Sequence, residues 1–415
     1  MGARRRRIFS RLLKYAEEHY DVRQALERVG DRREAPRIET MRVVAGLFHM
    51  VCLRLGSLNA IEQVWAKVKR RERWYVWMGG ALPSADRLGE VAALLELDDL
   101  RDVLVEHHRR RKRKKTLPPL PGGLRVLILD GHEMSASYLR HCKDCLTREI
   151  KHDDQTRTQY YHRYVMAYLL CGGGRVLLDL EMQRKGEGEI AAATRVLKRL
   201  LQKVPRAFNV VSGDALYLDP TLCAFILKHK KDFMAVLKKE SRELIKDFRD
   251  LLHLDDEKSL AIEHNGKQCR CHDIEGFESW PQLGHPVRIV QSLETATVSR
   301  QRNKEQQTSV TEWLWATSLS KQQANTHAIV RIGHRRWDIE NQGFNELVNQ
   351  WHADHIYHHD ANAIIAILLL LFLAYNLFHV WVSRAVKPQL RQKHTATHFA
   401  KMITAQFYYT LLHPT

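Results

Sequence analysis

The stretch "AIIAILLLLFLAY" (363–375) constrains the fold of this chain more than any other segment. Its uninterrupted apolar run is about 13 residues, short of the roughly 20 that a bilayer-crossing helix needs. Asn362, Asn376 and His379 bracket it. A helix apolar on all sides must be covered on all sides. The expectation is therefore a core helix around which the remaining elements pack, with no membrane as partner. At 415 residues the chain exceeds the usual size of a single core, so more than one domain is expected.

Charge narrows the partners. Lys and Arg number 66 against 48 Asp and Glu, a net charge of +18. Such an excess favours polyanions, nucleic acid before anionic membrane. The start "MGARRRRIFSRLLKYAEEHY" is basic but lacks the apolar core of a secretory signal, and Glu17 and Glu18 argue against a transit peptide. Seven cysteines, an odd number, suggest reduced thiols in a cytosolic compartment. "HCKDC" places Cys142 and Cys145 at metal-ligand spacing, and "CRCHD" offers Cys269, Cys271 and His272. The second pair is cramped and remote, so all are read as buried or loop thiols. His352, His355, His358 and His359 are read as polar or DNA-facing groups rather than zinc ligands.

Composition and periodicity divide the chain into four parts. Residues 1–118 read as helical and end in the basic run "HHRRRKRKK" (107–115), a candidate phosphate contact, and the linker "TLPPLPGG". Residues 119–237 alternate strands and helices: "LRVLILDG", a hairpin at the glycines of 172–174, a helix in "EGEIAAATRVLKRLLQKV", then "FNVVSGDALYL" and "DFMAVLK". Residues 238–321 read as a β-rich insertion, and 322–415 return to helices. The fold class is α/β.

One helix poses a chemical question. In "RRWDIENQGFNELVNQW" (335–351), α-helical spacing places Trp337, Phe344, Leu347, Val348 and Trp351 on one apolar stripe. Asp338 and Glu346 project away from it as solvated acids. Glu340 falls inside the stripe, where an ionised carboxylate needs a partner. Two partners are open: Arg336, one turn back, or a divalent cation shared with other acids. Asp130 ends the apolar run "VLIL", and Asp214 follows "VVSG". Strand-end carboxylates are where α/β sheets gather ligands. Glu133 reads as a loop carboxylate, and "RKGEGE" (184–189) as the opening of a helix.

The order "LDGHE", "GEGE", "GDALY" and "RRWDIENQGFNEL…DHIYHHD" resembles the DDE transposases of bacterial insertion sequences, the cut-and-paste group with a β-rich insertion. The resemblance covers roughly 120–382. It implies a ribonuclease-H-like core with a mixed five-stranded sheet, the β-rich insertion and an N-terminal helical domain. By position, it makes Asp130, Asp214 and Glu340 the catalytic, metal-binding triad, with two Mg²⁺ ions expected, or Mn²⁺. Arg336 and Glu340 match the family signature of Tyr, two residues, Arg, three residues, Glu, six residues, Lys. Gly333 and Leu347 stand at its Tyr and Lys positions, leaving His334, Arg335 or Asn349 as substitute DNA contacts. Trp313 corresponds to a tryptophan that stacks on a flipped base. The implied partners are double-stranded DNA, as terminal inverted repeats and target, and a second copy of the chain in a synaptic homodimer. The implied location is the bacterial cytoplasm, at the nucleoid. A nuclease of the same fold without strand transfer, or an inactive DNA-binding derivative, remains open.

Overall fold

The computed structural model describes residues 8–66, 73–134, 136–152, 155–172, 174–238, 242–254, 259–299 and 306–412. The basic start at 1–7 and the middle of the polar loop at 300–305 lie outside them. Eleven strands are named in chain order: β1 Val126–Glu133, β2 Leu146–His152, β3 Gln155–Tyr161, β4 Arg163–Cys171, β5 Gly174–Met182 and β6 Val210–Gly213, followed by β7 Asp232–Val236, β8 Leu260–His264, β9 Lys267–Phe277, β10 Val287–Ser299 and β11 Gln306–Thr317.

Among the described residues the main sheet has nine strands in the order β5-β4-β1-β6-β7-β11-β10-β9-β8. Its first five are the expected ribonuclease-H-like core: β1 runs antiparallel to β4 and parallel to β6, and β6 parallel to β7. The insertion does not stand apart from that core. Strand β11 pairs antiparallel with β7, Trp315 opposite Val236, so the insertion strands extend the catalytic sheet. A separate two-stranded arm, β2–β3, leaves the sheet between β1 and β4. The sequence reading had no strands there; neither arm strand is apolar enough to announce itself.

Strand β1 is central and buried on both faces, which explains its unbroken "VLIL". Val126 and Ile128 join the core beneath the long helix Ala361–Ala385, whereas Leu127 and Leu129 face the opposite layer, with Val196, Leu197 and Leu200 of the helix Glu189–Lys203. The first core also holds apolar residues of the N-terminal helices, such as Phe48, Leu88 and Leu104.

The long helix is apolar enough to cross a membrane, yet 89% of its apolar window is buried inside the protein. The polar residues bracketing it are its fastenings. The Asn376 amide donates to the Leu177 carbonyl (2.8 Å) and accepts from the Leu177 N–H (2.9 Å), satisfying backbone of the edge strand β5. Asn362 donates to the carbonyls of Ala92 and Leu95. Asp360 caps the helix through the N–H groups of Asn362 and Ala363.

The basic run is part of this framework. It forms the end of the helix Leu97–Arg113, with His107, His108 and Arg111 buried. Arg111 donates to the Arg175 carbonyl, Arg109 to that of Lys203, and Lys112 to that of Arg206. Much of the run therefore braces backbone rather than presenting a free phosphate-binding surface.

Candidate active site

Asp130 and Asp214 are brought level by strand pairing. The parallel register sets Val126 opposite Val210 and Ile128 opposite Ser212. Two residues further along each chain stand the two acids, about one interstrand spacing (~4.8 Å) apart in backbone. Gly213 precedes Asp214 because the chain there presses on Tyr217: a Cβ on Gly213 would lie 2.3 Å from the ring. Asp214 opens the turn Ala215–Tyr217, its Oδ1 accepting the Leu216 N–H at 2.8 Å.

Glu340 reaches the same cleft by a different device. The segment expected to be one regular helix is broken: Thr326–Arg335 is α-helical, Ile339–Phe344 forms a π-turn, and Asn345–Trp351 resumes the α-helix. A π-turn widens the spacing and rotates everything beyond it. Three expectations are thereby corrected. Trp337 leaves the apolar stripe and is 38% exposed, while Ile339 takes its place and is fully buried. Glu346 is not a solvated acid: it is buried, paired with Arg175 and accepting from His379 Nε2 at 2.7 Å. Glu340 does not face the core; its side chain is 39% exposed and lines an open cleft with Asp130, His132 and Phe344.

Arg336 joins the acids. Its Nη1 lies 3.4 Å from Asp130 Oδ2 and its Nη2 3.6 Å from Glu340 Oε1, with the side chain almost wholly buried. The Asp130 carboxyl is pushed up to about 7: burial raises it most, Arg336 pulls it down, and Glu189, Asp214 and Glu340 add to the rise.

Glu189 is a fourth acid of the cluster, which the sequence reading treated only as a helix opener. It is buried, and a Cβ on Gly131 would lie 2.3 Å from its Oε2. It accepts from Arg163 Nη2 (2.7 Å) and from the Tyr217 hydroxyl (2.9 Å). The recurring "GEGE" was its only local signal. Glu133 ends β1 rather than lying in a loop, and takes a two-pronged contact from Arg148 at 2.7 and 2.8 Å.

The departures from the family signature have packing reasons. A Cβ on Gly333 would lie 2.3 Å from the Trp315 indole, so that ring fills the room a tyrosine would need. Leu347 is fully buried, an environment that suits an apolar side chain rather than a charged one. Trp313 is half-buried and stacks on Trp315, rings parallel within 5° and centroids 6.1 Å apart. His334 Nε2 donates to the buried Glu294 carboxylate, and its ring stacks on His264. Arg335 pairs with Asp338 at 3.1 Å and keeps 35% of its side chain exposed.

The cysteines are buried or loop thiols, as expected, and the histidines fall in separate environments. His352, His355, His358 and His359 do not act as one group. His352 packs on Gly56 and His358 on Gly89, while His359 Nε2 lies 3.3 Å from Cys145 Sγ. Cys142, Cys145, His162 and His359 bring their ligand atoms within 4.8 Å of one another. His162 carried no signal in the sequence. Cys269 and Cys271 are buried strand residues, and His272 hydrogen-bonds Gln291.

A ribonuclease-H-like sheet with one acid inside β1 and a second just past the adjacent parallel strand β6, together with a glutamate from a late helix, is the architecture of a DDE transposase. Residues 121–377, more than half of the chain, match the family model described as the transposase DDE domain, and the chain belongs to that family. Comparison with individually curated proteins returns no match.

Proposed function

We propose that this DDE transposase cuts the ends of an insertion sequence by metal-dependent phosphodiester hydrolysis and joins them to target DNA by transesterification, through a hairpin intermediate. One observation carries the reading: Arg336 lies between Asp130 and Glu340, while strand register sets Asp214 level with Asp130. Acids so crowded, one with its pKa near 7, are a site under electrostatic load. An all-oxygen donor set of this kind fits Mg²⁺, or Mn²⁺, held by Asp130, Asp214 and Glu340. Two such ions supply charge that activates the attacking oxygen and stabilises the leaving one.

The protein's own groups do the remaining work. Arg336 fixes the orientation of Asp130 and Glu340 and offsets their repulsion. Glu189, held by Arg163 and Tyr217, backs the cluster and adds to the rise of the Asp130 carboxyl that burial causes. Arg335 offers a partly exposed guanidinium for a phosphate, beside His334 and Arg336. Trp313, braced by Trp315, presents part of its ring for base stacking. The net charge of +18 suits duplex DNA along the N-terminal helices (1–118) and the catalytic face, with two copies joined in a synaptic complex at the bacterial nucleoid.

The test uses the DNA flanking the gene as substrate. Wild-type protein with Mg²⁺ nicks the element end, forms a hairpin and joins a pre-cleaved 3′ end to target, and Asp130→Ala does none of these. Cleavage without joining identifies a nuclease. Binding without cleavage, equal in wild type and variant, identifies a derivative that no longer catalyses.

A further inference from the structure

We propose that Cys142, Cys145, His162 and His359 form a closed tetrahedral Zn²⁺ site, separate from the acid cluster, that fastens the segment after the Glu340 helix to the end of the Asp130 strand. The geometry carries this. The two Sγ atoms are 3.7 Å apart, Cys142 and Cys145 Sγ each lie 3.4 Å from His162 Nε2, and Cys145 Sγ lies 3.3 Å from His359 Nε2. Tetrahedral zinc, with Zn–S of about 2.3 Å and Zn–N of about 2.0 Å, sets S–S edges of about 3.8 Å and S–N edges of about 3.5 Å. The sulfur pair already stands at that spacing, and the sulfur–nitrogen pairs are within a few tenths of an ångström of it.

Ligand chemistry selects the metal. Thiolate and imidazole donors suit zinc, whereas the carboxylate cluster suits a hard cation, so one chain keeps two metals apart by donor type. Four protein ligands leave no position for water or substrate, the mark of a structural site. Cys145 and His162 are buried, and Cys142 and His359 are half-buried. Two thiolates balance the charge of the ion, and its binding to two thiols releases two protons to solvent.

Placement shows what the site does. Cys142 and Cys145 precede β2, His162 links β3 to β4, and His359 immediately precedes the Asp360 cap of the long helix. Next to His162, the Met134 N–H donates to the His162 carbonyl at 2.8 Å. Within the tethered segment, Asp354 is 3.1 Å from His132 Nε2 on β1. His132 in turn stacks on Phe344, centroids 4.6 Å apart, in the wall of the cleft that holds Asp130 and Glu340. The knot thus braces one wall of the active site from behind. The four ligands are positioning residues.

The test needs no DNA, so its result is independent of whether the transposase reading holds. Full-length protein purified without chelator should contain about one zinc per chain by mass spectrometry of the metal. Replacement by cobalt should give the intense visible bands of a tetrahedral ion and a thiolate charge-transfer band. Cys142→Ser with Cys145→Ser should remove both signals, His359→Ala should weaken binding at least tenfold, and Asp130→Ala should leave them intact. Removing zinc should lower the melting temperature of wild type. Metal-free protein that takes up neither ion overturns the proposal. So does a Cys142–Cys145 disulfide in its place, an octahedral cobalt spectrum, or full zinc content in the double serine variant. Should the variants fail to fold, the zinc content and cobalt spectrum of wild type decide alone.

Discussion

Arg336 Nη1 stands 3.4 Å from Asp130 Oδ2, so the arginine of the signature is turned inward onto the acids. Its Nη2 meets Glu340 as well. Removing one partner of a buried ionic cluster leaves the others uncompensated, typically at about 3–5 kcal/mol. Arg336→Met should lower metal-free stability on that scale. It should also enlarge the rise in melting temperature produced by Mg²⁺, because the cation then becomes the main counter-charge. Thermal scans of wild type and variant with and without Mg²⁺ check this; equal Mg²⁺ shifts would contradict it.

Asp130 gives a pH signature. Its folded pKa, pushed up to about 7 by burial and neighbouring acids, lies above its unfolded value of about 3.9. A group raised in the folded state contributes stability that is fully present below pH ~4 and is lost as pH climbs through ~7. Metal-free wild type should therefore weaken relative to Asp130→Asn between those limits, by up to about 4 kcal/mol. Denaturation at several pH values measures the difference; a constant gap would refute the shift.

Glu340 and Glu346 lie six residues apart and should fail in opposite ways. Burial alone would raise the Glu346 carboxyl, but the hydrogen bond and charge of His379 and the charge of Arg175 hold it below the usual range. Glu346→Ala should cost about 3–5 kcal/mol by stranding Arg175. Glu340→Gln, at a half-exposed position, should change stability by less than about 1 kcal/mol while abolishing DNA cleavage. Chemical denaturation paired with a nicking assay separates the two.

Gly333 should tolerate no side chain. Gly333→Ala sets a methyl 2.3 Å from the Trp315 indole, and overpacking of this kind costs about 1–3 kcal/mol. Trp315→Leu combined with Gly333→Ala should recover part of the loss. A double variant no more stable than Gly333→Ala alone would show that the ring is not the obstacle.

Local pattern explains what was legible. "VLIL" before Asp130 and "VVSG" before Asp214 announced two buried strands, and "AIIAILLLLFLAY" a core helix, because burial is written residue by residue in apolar runs. The bracketing Asn362 and Asn376 were visible as well, though not the backbone groups they satisfy. Glu340 stands out in the sequence by its place in the signature, whereas the apolar face expected around it does not form: its side chain is 39% exposed. A π-turn carries no periodic mark of its own, since periodicity presumes the regular helix that the turn interrupts. The arm β2–β3 was missed because strands outside a core show no alternation of burial.

The sequence by itself determined the α/β class, the two buried strands that carry Asp130 and lead into Asp214, the apolar axis of the core and the basic charge. Each depends on neighbours along the chain and on solvent. Tertiary structure alone decided that Glu189 joins the acids, that Glu346 is buried, that Trp315 excludes a side chain at 333, and that His162 and His359 meet Cys142 and Cys145. Those relationships join residues tens to hundreds of positions apart, and no local pattern records which distant side chain will arrive when the sheet and its helices close.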